Sequence, residues 1–164
     1  MATRHDEYPG EVLARRLEGV SEQLTTLLSQ PEVAQRLRTA PGENEWSAMQ
    51  VLGHVVEMIP YWMKQCRELM AASHPPRFGR TPDTRERLAG VERGATAAPG
   101  ELLRELQKEV QAAARTIRQM SAAERGKKGV HIKRGEMKAG DIVEQLIVAH
   151  AEEHVAQVRA ALRS

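Results

Sequence analysis

Apolar positions recur at helical spacing in four long stretches of this chain. In the first, Leu13, Leu17, Val20, Leu24 and Leu27 follow one another at steps of 4, 3, 4 and 3, the seam of an antiparallel bundle or coiled coil. Tyr8-Pro9-Gly10 leads into it and Ser29-Gln30-Pro31 closes it. A short helical segment from Glu32 to Arg38 is predicted next, before Ala40-Pro41-Gly42 breaks the chain. The second stretch opens at Trp46-Ser47-Ala48-Met49-Gln50. Ser47 and Gln50 stand at the spacing of a capping box, and Trp46 is placed to staple onto Val51. Its buried face reads Val51, Val55, Ile59, Trp62, Cys66 and Leu69, and Pro60 inside the run predicts a kink. The third, Glu101 to Met120, carries Leu103, Leu106, Val110, Ala113, Ile117 and Met120 at steps of 3, 4, 3, 4 and 3. The fourth, Asp141 to Leu162, begins with Asp141 and Glu144 placed to cap it and to favour its positive end.

The segments between them are breaker-rich. Ser73 to Gly100 abounds in Pro, Gly, Thr and Arg and reads as a long connection with one short helix around Asp83 to Leu88. Glu124 to Lys138 has six basic residues, two acidic ones and three glycines, and reads as a solvated loop. The fold expected is a single all-α domain spanning residues 1–164, a four-helix bundle with a long crossover between helices 2 and 3.

Composition narrows this further. Of 164 residues, 41% are hydrophobic but only 3% aromatic, so Leu, Val, Ala and seven Met must fill the core. Such a core suits helices better than a β-sandwich. A net charge of +2 is too mild to argue for nucleic acid, and the basic loop lacks interleaved aromatics. No apolar run approaches the roughly 20 residues that span a bilayer, and the start of the chain is polar, so a cytoplasmic protein without membrane contact is expected. Cys66 is the lone cysteine, which excludes an internal disulfide, and its apolar helical face makes it a small buried hydrophobe.

The chemistry lies in the histidines. At about 100° per residue, His150 and His154 fall in the middle of the stripe formed by Val143, Ile147, Val158 and Ala161, within an arc of roughly 80°. Neutral imidazoles among aliphatic side chains are costly unless each ring nitrogen has a partner. Two readings satisfy that need: core histidines bonded to carbonyls or carboxylates, or a divalent metal bridging nitrogens one turn apart. His54, on the second helix near Glu57 and Tyr61, can supply a third nitrogen, and three nitrogens leave a coordination position open, as in catalytic zinc sites. Glu57 is a candidate to orient His54 or carry a proton, against the plain reading of an exposed helix carboxylate. Gln157 is a candidate for the pocket wall or for a packing layer. His131 reads as a mobile loop histidine, Glu153 as solvated, and His5 and His74 receive no role.

Taken in order and separation, Glu45-Trp46-Ser47, Val51-Leu52-Gly53-His54, Arg134-Gly135-Glu136-Met137 and the run His150-Ala151-Glu152-Glu153-His154-Val155-Ala156-Gln157 resemble the DinB/YfiT-like superfamily of metalloenzymes. The resemblance extends from the first helix to the C-terminus. It implies an up-down-down-up four-helix bundle with a divalent metal, zinc or nickel, held by three histidines, which by position are His54, His150 and His154. Characterised relatives are transferases and isomerases that use bacillithiol, mycothiol or a similar low-molecular-weight thiol. The resemblance therefore implies a small-molecule thiol and an electrophilic substrate as partners, and a homodimer as the assembly frequent among relatives. A non-catalytic metal-binding stress protein and a metal-free helical interaction module are the competing expectations.

Overall fold

A computed structural model describes residues 9–163. Its four long helices are α1 (Pro9–Leu28), α2 (Ala48–Ala71), α4 (Pro99–Gln119) and a final helix built in three parts. Between α2 and α4 lie a two-residue strand β1 (Arg77–Phe78) and a helix α3 (Arg85–Thr96). After α4 come a single turn α5 (Ala122–Arg125) and the strands β2 (Lys128–His131) and β3 (Gly135–Lys138). The final helix starts as α6 (Ala139–Asp141), widens to a π-helical segment (Ile142–Ala149) and returns to α-helix as α7 (His150–Arg163). Both junctions keep right-handed helical dihedrals, so the three parts are continuous.

Each bundle helix buries the stripe that its apolar spacing dictates. α1 and α2 each pack against both α4 and the final helix, which closes the four into a ring around one core. In α1 the buried face is rotated slightly from the expected seam: Ala14, Leu17, Val20, Leu24 and Leu28 are buried, while Leu13 and Leu27 are only partly covered. In α4 the same shift replaces Leu103 with Leu102. The α2 stripe is buried as expected, with Pro60 inside a continuous helix. The start of α2 is fixed by the capping box, in which Ser47 N donates to Gln50 Oε1 at 2.9 Å and Gln50 N donates to Ser47 Oγ at 3.2 Å. Cys66 is buried, its Sγ is 3.7 Å from the Ala139 carbonyl, and burial pushes its thiol up to about 11.

Four local expectations are corrected. The segment from Glu32 to Arg38 is one 3-10 turn at Pro31–Val33 followed by turns. The short helix at Asp83 to Leu88 is instead the twelve-residue α3, which begins later and runs on to Thr96. Asp141 is the third residue of the final helix and not its cap: its Oδ2 accepts from Lys138 N at 2.9 Å. The loop at Glu124 to Lys138 forms a hairpin, β2 antiparallel to β3, with β1 joined parallel to β2 as a third strand. Gly129, His131, Phe78 and Met137 are the buried positions of this small sheet, and Gly129 and His131 meet Leu69 and Trp62 of α2. His5 and the Tyr8 lead-in lie outside the described residues. No helix among the described residues is long and apolar enough to cross a membrane.

Alpha-3 crosses α2 at backbone contact. A Cβ added at Gly53 would stand 2.3 Å from the Gly90 carbonyl oxygen, and one added at Gly94 would stand 2.2 Å from that of Met49. Only glycine permits this approach, and it sets α3 down beside His54. Gly94→Ala is therefore expected to lower stability by about 1–3 kcal/mol through overpacking against a backbone that cannot yield. Urea unfolding of the variant, with an unchanged midpoint, would remove this account of the crossing.

Candidate metal centre

Two elements bring the site together. His54 comes from α2, one residue after the Gly53 contact, and His150 and His154 stand one turn apart at the start of α7. The ring centroids are 4.8 Å apart for His54 and His154, 5.9 Å for His54 and His150, and 4.6 Å for His150 and His154. One nitrogen from each of the three lies within 4.8 Å of the others. His54 and His154 are buried and His150 is half-buried.

The π-helical segment immediately before His150 shapes the site. The His150 N–H goes to the Ile147 carbonyl. The Leu146 carbonyl, which a regular α-helix would give to that N–H, is engaged by the His150 ring. His154 is fixed differently: its Nδ1 is 2.8 Å from Gln157 Oε1, so the ring donates at Nδ1 and leaves the lone pair at Nε2. That Nε2 and His54 Nδ1 are buried without a hydrogen-bond partner. Three converging imidazoles with two buried nitrogens unpartnered fit a divalent cation, because nitrogen lone pairs are its usual ligands.

Electrostatics keep the rings neutral. Burial, then the neighbouring histidines and the arginines Arg87 and Arg80, push His54 down to about 2. Burial and His154 push His150 down to about 4, and the Leu146 carbonyl partly opposes this. His154 is lowered by burial and partly restored by Gln157. Neutral lone pairs are thus available throughout the physiological range.

Glu57 is not an exposed carboxylate. Its Oε2 accepts from Arg80 Nη2 at 2.8 Å, its Oε1 from Arg80 Nη1, and its nearest approach to His54 Nδ1 is 4.0 Å, too long for a hydrogen bond. Arg80 is itself buried, with its Cζ 4.0 Å from the Tyr61 ring centroid. Gln157 both lines a cleft and holds His154. His131 is no mobile loop residue. It is buried, its ring lies 6.0 Å from Trp62 and 5.3 Å from Phe78, and its Nδ1 accepts from Lys133 N at 3.0 Å and Arg134 N at 3.1 Å.

Two clefts flank the triad. One of about 580 Å³ is lined by Trp46, Arg87, His154 and Gln157, with the exposed Glu45 and Asn44 at its edge. The other, about 270 Å³, is lined by His54, His150, Arg80, Arg87, Lys133 and Arg134 among others. Arg80, Arg87 and Lys133 carry no signal of their place here, because nothing in the pattern of the crossover or the basic loop says that these residues fold back onto α2. Trp46, the expected staple onto Val51, has its ring 5.3 Å from that of His54.

The lowered histidines make the metal-free protein sensitive to acid. The unfolded chain binds a proton at His54 near its ordinary value of 6.5, whereas the folded chain does not until about 2. Stability is therefore full above about pH 6.5 and falls as pH drops below it, by about 2 kcal/mol at pH 5 from His54 alone. Urea titrations of chelator-treated protein across this range are expected to show the fall, with a shallower slope in His54→Asn. A flat profile would contradict buried neutral rings.

The comparisons with known proteins agree with this architecture. Residues 12–158 match the family model of the DinB superfamily. No curated protein matches. A solved structure described as "YfiT from Bacillus subtilis is a probable metal-dependent hydrolase with an unusual four-helix bundle topology" aligns with a TM-score of 0.79 at 17% identity, covering 99% of this chain and 89% of that one. At that identity the likeness speaks for the fold, and the family match extends from α1 to the middle of α7. A bundle of four helices with this crossover, matched by the family model over nearly all of its length, makes the chain a member of the DinB superfamily.

Proposed function

We propose that this protein is a metal-dependent thiol S-transferase or isomerase, with a divalent cation, zinc or nickel, held by His54, His150 and His154. The observation that carries the reading is the convergence of three imidazoles, one nitrogen of each within 4.8 Å of the others, beside two clefts and with two buried ring nitrogens left unpartnered. A divalent cation there supplies Lewis acidity that keeps a thiol sulfur deprotonated at neutral pH.

The chain's own residues supply the rest. Gln157 fixes the His154 tautomer through Nδ1, so the lone pair at Nε2 faces the other histidines as a ligand must. The π-helical turn and the Leu146 carbonyl orient His150 in the same way. The two clefts give a thiol and an electrophile separate approaches to one centre, which an S-transfer requires. Glu57 has both oxygens committed to Arg80, and we assign it to holding that arginine rather than to proton transfer. Hydrolysis, the probable activity named for YfiT, is helped by a carboxylate beside the metal-bound water; none lines the smaller cleft, and the larger one has only the exposed Glu45 at its edge. A thiol needs no such base, because its pKa near 8.5 is already close to neutrality.

Elemental mass spectrometry of untagged wild type is expected to find about one equivalent of a divalent ion, lost in His54→Ala and His150→Ala. Nickel-loaded protein is then expected to gain a sulfur-to-metal charge-transfer absorption on addition of mercaptoethanol. A wild type without metal that also fails to take up added ion would sink the metal reading, and a loaded protein blind to thiols would sink the thiol reading.

A further inference from the structure

We propose that the smaller cleft is an anion-binding subsite, in which Arg87, Lys133 and Arg134 take a carboxylate of a small-molecule reactant beside the triad. This deepens the reading above and depends on it only for what the anion is bound next to.

The charges in the cleft are unbalanced. Four cationic side chains line it and no Asp or Glu does. Arg80 is already neutralised by Glu57. Among the described residues the other three have no carboxylate within ion-pairing distance. Arg87 donates to the Pro82 carbonyl at 2.8 Å, and Arg134 donates to Gln145 Oε1 at 3.3 Å. Asp83 is close enough for Lys133 to act on it, but its carboxylate is bonded to Thr81 Oγ1. Arg87 is the most constrained of the three: it is half-buried, with its Cζ 5.0 Å from the Trp46 ring centroid. A guanidinium withdrawn from water beside other cations is costly without a counter-charge, and an anionic ligand supplies one.

The backbone that carries the cations is also held in place. His131 is packed between Trp62 and Phe78 and accepts from the backbone N–H of both Lys133 and Arg134, which pins the hairpin turn that carries them. Arg87 rides on α3, whose position is set by the glycine contacts with α2. Preorganised donors lose less freedom on binding than side chains on a free loop. The forked guanidinium matches a carboxylate in two bonds. A volume of about 270 Å³ suits a carboxylate and a few carbons rather than a whole cofactor.

The test is calorimetric titration at fixed ionic strength, with metal content measured on every sample. Metal-loaded wild type is expected to bind mercaptoacetate about tenfold or more tightly than mercaptoacetamide. The preference is expected to shrink towards unity in Arg87→Gln and in the Lys133→Gln/Arg134→Gln double variant, with mercaptoacetamide affinity unchanged. Both residues of the double variant are exposed, so its fold does not hang on them. Equal affinities in wild type, or a preference that survives both variants, would overturn the proposal. Should the protein carry no metal, malonate against malonamide on the metal-free form decides the question alone. Malonate binding that the double variant loses sustains the subsite while the metal reading falls, and no difference between the two compounds ends both.

Discussion

Three imidazoles inside a helical bundle must stay neutral and must still find partners for their nitrogens, and much of this structure follows from that requirement. A buried nitrogen with no partner costs on the order of 1–3 kcal/mol. His154 meets the requirement at one nitrogen through Gln157, and the Leu146 carbonyl acts on the His150 ring. His54 Nδ1 and His154 Nε2 remain unmet. A fold that leaves two such atoms in a cluster of three imidazoles carries a local cost that a bound cation would offset, which is how sites of this kind couple ligand binding to stability.

The helices were largely legible because their information is periodic. Leu17, Val20 and Leu24, or Leu106, Val110 and Ile117, repeat where a helix face repeats, and the Ser47 and Gln50 pair marks a start that depends only on residues three apart. What escaped is information that is not periodic. Alpha-3 buries Gly90, Val91 and Gly94, a face made of almost nothing, so its packing signal is the lack of side chains rather than their presence. The hairpin escaped because its four-residue strands are held by tertiary contacts, His131 against Trp62 and Phe78, that no local window contains. The π-helical turn left no trace that a regular helical wheel could separate from an α-helix.

The histidines were legible as types and spacing, but their supports were not. Glu57, one turn from His54, was the natural candidate to hold it, and instead Arg80 arrives from the crossover and takes both carboxylate oxygens. Gln157 holds His154 because it sits three residues on, within reach on the same helix. The difference lies in where each competing partner comes from. Same-helix support is fixed by spacing, whereas the fate of Glu57 depends on a segment twenty-three residues away.

The choice of partners also sets the charge of the site. Gln157 is a neutral acceptor, where a carboxylate in its place would add a negative charge next to the rings. The one carboxylate near His54 is cancelled by Arg80. Three neutral imidazoles, a cancelled ion pair and the unpaired cations Arg87, Lys133 and Arg134 leave this region positive before any metal is added. A divalent cation would therefore enter against a repulsive field and leave an excess of positive charge behind it. Thiolate sulfur and a carboxylate both reduce that excess, whereas a neutral fourth ligand does not. The cations that add to burial in keeping the rings unprotonated would thus favour anionic reactants beside a bound metal, and two of them, Arg80 and Arg87, come from the crossover rather than from the bundle.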